Sequence, residues 1–462
     1  MAGARPARCA PVQPCSPSRK NKMNDPAFFK DSSATSNRSV TTAVYALFFL
    51  SGFCGLVYEI VWVRRFAVNF GNTTYAITVV LAAFMAGLAA GSRLFGKLAD
   101  SPSRTHSLLT YYGWMEIAIG VYCLAFDSLL GAQRSAMLLV YNAVDPTGAV
   151  SLAAKFLLST LLLILPTLLM GGTLPVLIKA LSRKLPEVGS VTGRLYFINS
   201  TGAVAGTLAA AFWLIPSWGL PLSTALAAAI NILVGVAAIG LRGRLDEPTG
   251  EQEHQSDSQA YGDDGEPLPG RVVVLALAGI FISGFTAMVY EVSWTRVLSM
   301  VLGSSTYSFA LMLAAFITGI ALGGLIISSV MGRISNPARA FAILQGVIAV
   351  SVLAMLPLYS RLPLFFVYVR EAIHFGYATH QAFKFLVCLS VMLLPATAFG
   401  MGFPLVARLA AGRMSEVAGK VGGVYALNTL GNIAGSLLCG LVMVPMMGIK
   451  PVSYTHLRAH ET

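Results

Sequence analysis

Long apolar stretches separated by short polar gaps dominate the chain. A helix needs roughly 20 mostly apolar residues to cross a bilayer. Eleven stretches meet that length, at 41–63, 74–98, 106–126, 151–179, 192–216, 221–241, 271–294, 305–331, 338–359, 381–408 and 421–447. Two polar segments interrupt the pattern. Residues 1–40 are basic and rich in Ser and Pro, which predicts a disordered tail. They lack the apolar run and cleavage site of a signal peptide, and both Met1 and Met23 can serve as the start. Residues 243–270 contain DEPTGEQEHQSDSQAYGDDGEPLPG, acidic and punctuated by Gly and Pro, which predicts a flexible linker. Six helices precede the linker and five follow it.

The apolar stretches repeat one another. SGFCGLVYEIVWVRRF at 51–66 returns as SGFTAMVYEVSWTRVL at 283–298, with Glu59 and Glu291 lying 232 positions apart. Gly52, Tyr58, Glu59, Trp62 and Arg64 align with Gly284, Tyr290, Glu291, Trp294 and Arg296. Gly87 and Gly91 align with Gly319 and Gly323. Further on the offset becomes 229: Pro166, Pro175, Tyr196, Asn199, Gly202 and Gly206 match Pro395, Pro404, Tyr425, Asn428, Gly431 and Gly435. Chance similarity between apolar segments does not keep Glu, Arg, Asn, Trp and Pro in register. Six helices is an even number, so both copies enter the membrane from the same side. The fold class that follows is an all-α polytopic membrane protein of two parallel six-helix repeats, the second without its last helix, in a major-facilitator-like bundle of about 11 transmembrane helices. Its parts are a basic tail (1–40), a first repeat (41–242), the linker (243–270), a second repeat of five helices (271–450) and a tail (451–462).

Composition narrows the class. Hydrophobic residues make up 56% of the 462 and charged residues only 11%, where a soluble domain carries about 25% charged. The net charge of +12 is read as Lys and Arg in loops on one membrane face rather than as a nucleic-acid surface. The tail, the loop after the second helix (Arg93, Lys97, Arg104), the loop after the fourth (Lys179, Arg183, Lys184, Arg194) and the loop after the tenth (Arg408, Arg413, Lys420) carry them. Arg361 and Arg370 are the exceptions. The bias predicts a cytoplasmic N-terminus and linker. The six cysteines show neither metal nor disulfide spacing.

The candidate chemistry is acidic and lies inside apolar helices. An ionised residue at the bilayer centre costs roughly 2.5–3.5 kcal/mol, so Glu59 and Glu291 call for a reason. In one reading they join Tyr58, Arg64, Tyr290, Arg296 and the neighbouring Trp in interfacial networks that fix the first helix of each half. In the other they face a central cavity, where they attract a cationic substrate or carry a proton. Asn199 and Asn428 either cross-link helices or line the same cavity. Glu116 has Gln345 as its repeat counterpart, a break in symmetry that points toward function. The GxxxG steps read as close helix packing. No metal spacing and no P-loop, GxSxG, HExxH or CxxC occurs, so no catalytic residue and no cofactor is assigned.

SGFxxxVYExxWxRxxxxxxGxxxY, then LAAFxxGxAxG, LLPTLLMGGTLP and GRLYFINSTGAVAGT, resemble the membrane half of the bacterial fused major-facilitator/spermidine synthase-like proteins over roughly residues 41–450. The resemblance implies a bacterial inner-membrane protein that anchors an aminopropyltransferase-like domain and moves a cationic polyamine such as putrescine or spermidine. Decarboxylated S-adenosylmethionine would belong to that further domain. The terminal VSYTHLRAHET resembles translated adapter sequence, so the expectation is a truncated gene product. Transport of another solute and a purely structural anchor remain as alternatives.

Overall fold

The computed structural model describes residues 26–70, 73–101, 107–145, 148–245, 270–303, 306–372 and 376–443. The expectations for residues 1–25, most of the linker and the tail from 451 fall outside these. Eleven long helices make up nearly all of the described chain: α1 (Pro26–Phe70), α2 (Thr73–Ala99), α3 (Leu108–Ala143), α4 (Ala149–Leu181), α5 (Val188–Ala209), α6 (Ile215–Gly240), α7 (Gly270–Leu302), α8 (Thr306–Val330), α9 (Pro337–Ala372), α10 (Tyr377–Ala410) and α11 (Val417–Leu438). Among the described residues, nine segments are long and apolar enough to cross a membrane, and one of them, Leu185–Gly240, holds both α5 and α6. Only α11 is missing from that set. Its polar content includes Asn428 and Asn432, which prove to line the central cavity.

Three boundaries depart by more than ten residues from the sequence expectation, and the end of α9 at Ala372 rather than 359 repeats that of α3. Helix α1 starts at Pro26, inside the segment expected to be disordered. No Gly or Pro lies between Pro26 and Gly52 to break the helix, and Pro is favoured in a first helical turn. Helix α3 runs on to Ala143, well past the expected 126. Its apolar pattern fades at Asp127, but the next proline is Pro146.

The duplication is carried down to single residues. Helix α9 spans the same 36 residues as α3, shifted by 229 at both ends. Helix α11 repeats α5 at the same offset, and each runs into a five-residue π-helical turn, Ala210–Leu214 and Cys439–Met443. The two copies are parallel. Helix α6 is broken near its start at Gly219, whose φ of 71° only glycine adopts without strain.

Glycines bring the helix backbones together. A Cβ on Gly202 or Gly206 would collide with the carbonyls of Phe49 and Phe53 on α1, and one on Gly431 or Gly435 with those of Phe281 and Phe285 on α7. Gly91 meets Leu168 of α4 and Gly323 meets Thr397 of α10 in the same way. Between the halves, α2 packs on α11 and α5 on α8. Gly193 and Gly324 oppose each other there: a Cβ on Gly193 would lie 2.8 Å from the Gly324 carbonyl oxygen. Apolar side chains such as Leu138, Leu157, Leu161, Leu233, Leu275 and Val350 stay exposed on the outside, the surface a lipid-embedded bundle presents.

A charged contact joins the halves beyond the end of α2. Asp100, just past α2, accepts from Lys179 Nζ of α4 at 2.9 Å, from the Ala418 amide at 3.2 Å and from the Gly419 amide at 2.6 Å. The carboxylate thereby caps the start of α11 and ties the first half to the second. Ser92 adds a bond from its hydroxyl to the Gly422 carbonyl at 3.1 Å. Burial holds the Asp100 carboxyl above its ordinary range, and Lys179 with the two amides only partly offsets this.

Candidate functional site

Where the halves meet, a cavity of about 240 Å3 opens between α1, α2, α4 and α5 of one half and α7, α8, α10 and α11 of the other. Its walls obey the repeat. Ser51, Gly52, Glu59, Leu81, Phe84, Tyr196 and Asn199 line it, and so do their counterparts Ser283, Glu291, Leu313, Phe316, Tyr425 and Asn428. Only Gly284 is absent from this second set. Asn432 adds an amide where the first half has Ala203. The lining is therefore pseudo-symmetric, with apolar rings and methionines between polar groups.

Helical spacing places the two glutamates. Ser51, Leu56 and Glu59 recur along one face of α1, and the close approach of α5 at Gly202 and Gly206 sets that face against Asn199. Helix α7 repeats the arrangement. Glu59 is 8% exposed, and Glu291 lines the same cavity. Neither carboxylate has a hydrogen-bond partner or ion pair among the described residues, and the same holds for the side chains of Asn199, Asn428 and Asn432 and the hydroxyls of Tyr196 and Tyr425. Such groups in a membrane interior ordinarily find partners. Here they surround an open space.

The other candidates divide. Tyr58 points away from the cavity, is fully buried, stacks on Trp62 at 5.7 Å and donates its hydroxyl to Asn231 Oδ1 at 3.2 Å. Tyr290 stacks on Trp294 at 5.4 Å. Arg64 does not pair with Glu59, and its Nε is buried without a partner among the described residues. Arg296 is exposed. No Glu59–Arg64 ion pair therefore joins the first of the interfacial networks considered from the sequence, among the described residues. Tyr–Trp stacking is its structural part, while the glutamates turn the other way.

Glu116 lies behind the cavity wall rather than in it. It is fully buried on α3, accepts from the Ser51 hydroxyl at 2.6 Å and accepts from the Asn231 amide of α6. Asn231 and Ser51 were not singled out from the sequence. The signal was available for Asn231, a lone amide in the apolar run AAAINILVG. Ser51 offers none, since a serine in a helix ordinarily bonds its own backbone. No group of three or more His, Cys, Asp or Glu that can hold a metal occurs among the described residues. Cys54, Cys123, Cys388 and Cys439 are buried free thiols.

No protein-family model matches the chain. No curated protein matches it either. Solved structures do. A bacterial homologue of the iron transporter ferroportin, in an outward-facing state, is 14% identical with a TM-score of 0.52, covering 90% of this chain and 94% of its own. The major facilitator superfamily proton:xylose symporter XylE, bound to 6-bromo-6-deoxy-D-glucose, is 16% identical with a TM-score of 0.50, covering 92% and 91%. At such identities the likeness establishes fold alone: this chain is a multi-pass membrane protein with a major-facilitator-like helical bundle.

Proposed function

We propose that the protein is a membrane transporter that moves a small organic cation through the cavity between its halves, with Glu59 and Glu291 as paired ligands. The carrying observation is those two carboxylates, set at equivalent positions in each half, facing one cavity and lacking any protein cation. Burying a carboxylate in an apolar site is costly unless a positive charge or hydrogen bonds answer it, and a bound cation supplies both. Asn199, Asn428 and Asn432 offer amide oxygens to ammonium hydrogens, and the aromatic walls favour an organic cation by their π faces. A volume of about 240 Å3 suits a small solute, below the roughly 300–1,000 Å3 of drug-sized pockets.

Putrescine and spermidine are the first probes. Each presents more than one ammonium to a pair of carboxylates, and the family resemblance of residues 41–450 implies polyamine chemistry. The basic face then lies in the cytoplasm of a bacterial inner membrane, on the side where Asp100 joins α2 to α11. The cavity weighs against a purely structural anchor, which needs no polar space at its centre. The test is uptake of labelled putrescine and spermidine into proteoliposomes. Flux should fall at least tenfold in Glu59→Gln/Glu291→Gln. Equal flux in wild type and double variant, or no flux of either amine, refutes the amine reading. Stabilisation of the protein by non-amines alone would then assign it another solute.

A further inference from the structure

Glu116 is a carboxylate that substrate binding does not explain. It sits on α3 with no exposure. Its two oxygens are divided between two neighbours: Oε1 accepts from Ser51 of α1 and Oε2 from Asn231 of α6. Asn231 is oriented in turn by Tyr58, which donates to its Oδ1. The remaining titratable groups around it are Cys54 and Tyr58 on α1 and Tyr112 and Cys123 on α3. No Lys, Arg or His forms an ion pair with Glu116 among the described residues. Ser51 is the exception to this isolation, because it also lines the cavity.

From this juxtaposition we infer that Glu116 is a proton-binding site loaded from the cavity through Ser51, and that it couples proton movement to transport. The coupling half of the inference rests on the transport reading above; the proton site does not. Ser51 and Asn231 each place a donor on the carboxylate, one at each oxygen. Loading takes one proton from cavity water. Ser51 passes its hydroxyl proton to Glu116 Oε1 and takes up the incoming one. The new carboxyl O–H then donates to Ser51 Oγ, and the serine hydroxyl turns toward the cavity, where it can donate to substrate or water. Unloading reverses both transfers, and no other bond changes. Asn231, held by Tyr58, fixes the second oxygen so that Oε1 is the one that exchanges.

The second half lacks the device. Ser283 and Tyr290 keep the places of Ser51 and Tyr58, but Gln345 stands where Glu116 would be, and an amide neither binds nor releases a proton at physiological pH. One proton per cycle follows. Substrate ligands are thus symmetric in the two halves, and the coupling group is not.

Two readouts on the full chain test this. Infrared difference spectra of the protein in nanodiscs, taken between acid and alkaline pH, report buried carboxyl C=O bands. A titrating band should vanish in Glu116→Gln, shift in Ser51→Ala and persist in Glu59→Gln/Glu291→Gln. A spectrum of Glu116→Gln identical to wild type overturns the proton site. In proteoliposomes, a pH gradient should drive putrescine accumulation by up to about tenfold per pH unit for one proton, and Glu116→Gln should lose the accumulation while still exchanging putrescine in counterflow. Gradient-driven accumulation by Glu116→Gln equal to wild type overturns the coupling. If wild type moves no putrescine, the transport reading fails by itself, and the infrared result decides the proton site. If Glu116→Gln does not fold, the Ser51→Ala spectrum decides, with an unshifted band counting against the inference.

Discussion

Replacing Asp100 by Asn removes the charge that answers Lys179 while keeping an oxygen for the α11 amides. The Lys179 side chain is 2% exposed and its Nζ reaches Asp100 at 2.9 Å and the Ser415 carbonyl at 3.4 Å. Without Asp100 the buried Lys179 ammonium loses its carboxylate partner at 2.9 Å. Breaking a buried pair by removing one partner costs about 3–5 kcal/mol. The Asp100 side chain is 13% exposed, so water can partly replace it and the lower end applies. About 3 kcal/mol is roughly a hundredfold in an equilibrium. The pair spans α2, α4 and α11, so the equilibrium concerned is separation of the two halves at this face. Amide hydrogen exchange at Ala418 and Gly419 reads it, and should speed up about a hundredfold in Asp100→Asn. The double variant Asp100→Asn/Lys179→Met tests the cause. Methionine follows the buried stem of the lysine and removes the buried charge, so exchange should return to within about tenfold of wild type. Unchanged exchange in Asp100→Asn, or a double variant as fast as the single, refutes the reasoning.

The glycine contacts predict opposite signs at two sites. Gly206→Ala places a methyl against the Phe53 backbone, whereas Gly131 on α3 has nothing within 4 Å. Thermal unfolding in detergent should show Gly206→Ala destabilised and Gly131→Ala stabilised by up to about 1 kcal/mol. Equal midpoints for the two variants would contradict the packing.

Helices and their duplication were legible because each rests on local chemistry repeated many times. Apolar length marks a span whatever surrounds it, and Glu59 with Tyr58 and Trp62 announces itself again at Glu291 with Tyr290 and Trp294. Helix ends were less legible. The apolar pattern stops at Asp127, yet backbone hydrogen bonding continues through the amphipathic turns to Ala143. The Asp100 clasp was not legible at all. It joins residues 100, 179 and 418, whose proximity is set by the packing of α2 on α11, and nothing near Asp100 in the sequence names its partners. Of the site, the glutamates and Asn199 with Asn428 stood out as polar residues in apolar runs, but which way each faces depends on a helix rotation that the glycine contacts fix. Tyr58 and Glu59 are neighbours, and about 100° of helical turn sends one into the core and the other into the cavity.

Symmetry also separates the roles within this bundle. Two copies of one fold place every matched pair at equal depth on opposite sides of a shared axis, so a ligand on that axis meets equal groups from each half. Glu59 with Glu291 and Asn199 with Asn428 satisfy this and suit a substrate that must be held from both sides while the halves rock about it. A group that governs the cycle has no such need, since a single proton can bind in only one half at a time. Selection for packing alone gives no reason to keep an acid at 116 and an amide at 345 on helices that otherwise share their length and boundaries. The acid is where the hydrogen bonds converge, with Ser51 on the cavity side and Asn231 and Tyr58 behind, while Gln345 leaves its Nε2 buried without a partner among the described residues. The half that carries the converged network is the half in which a charge can be made and removed.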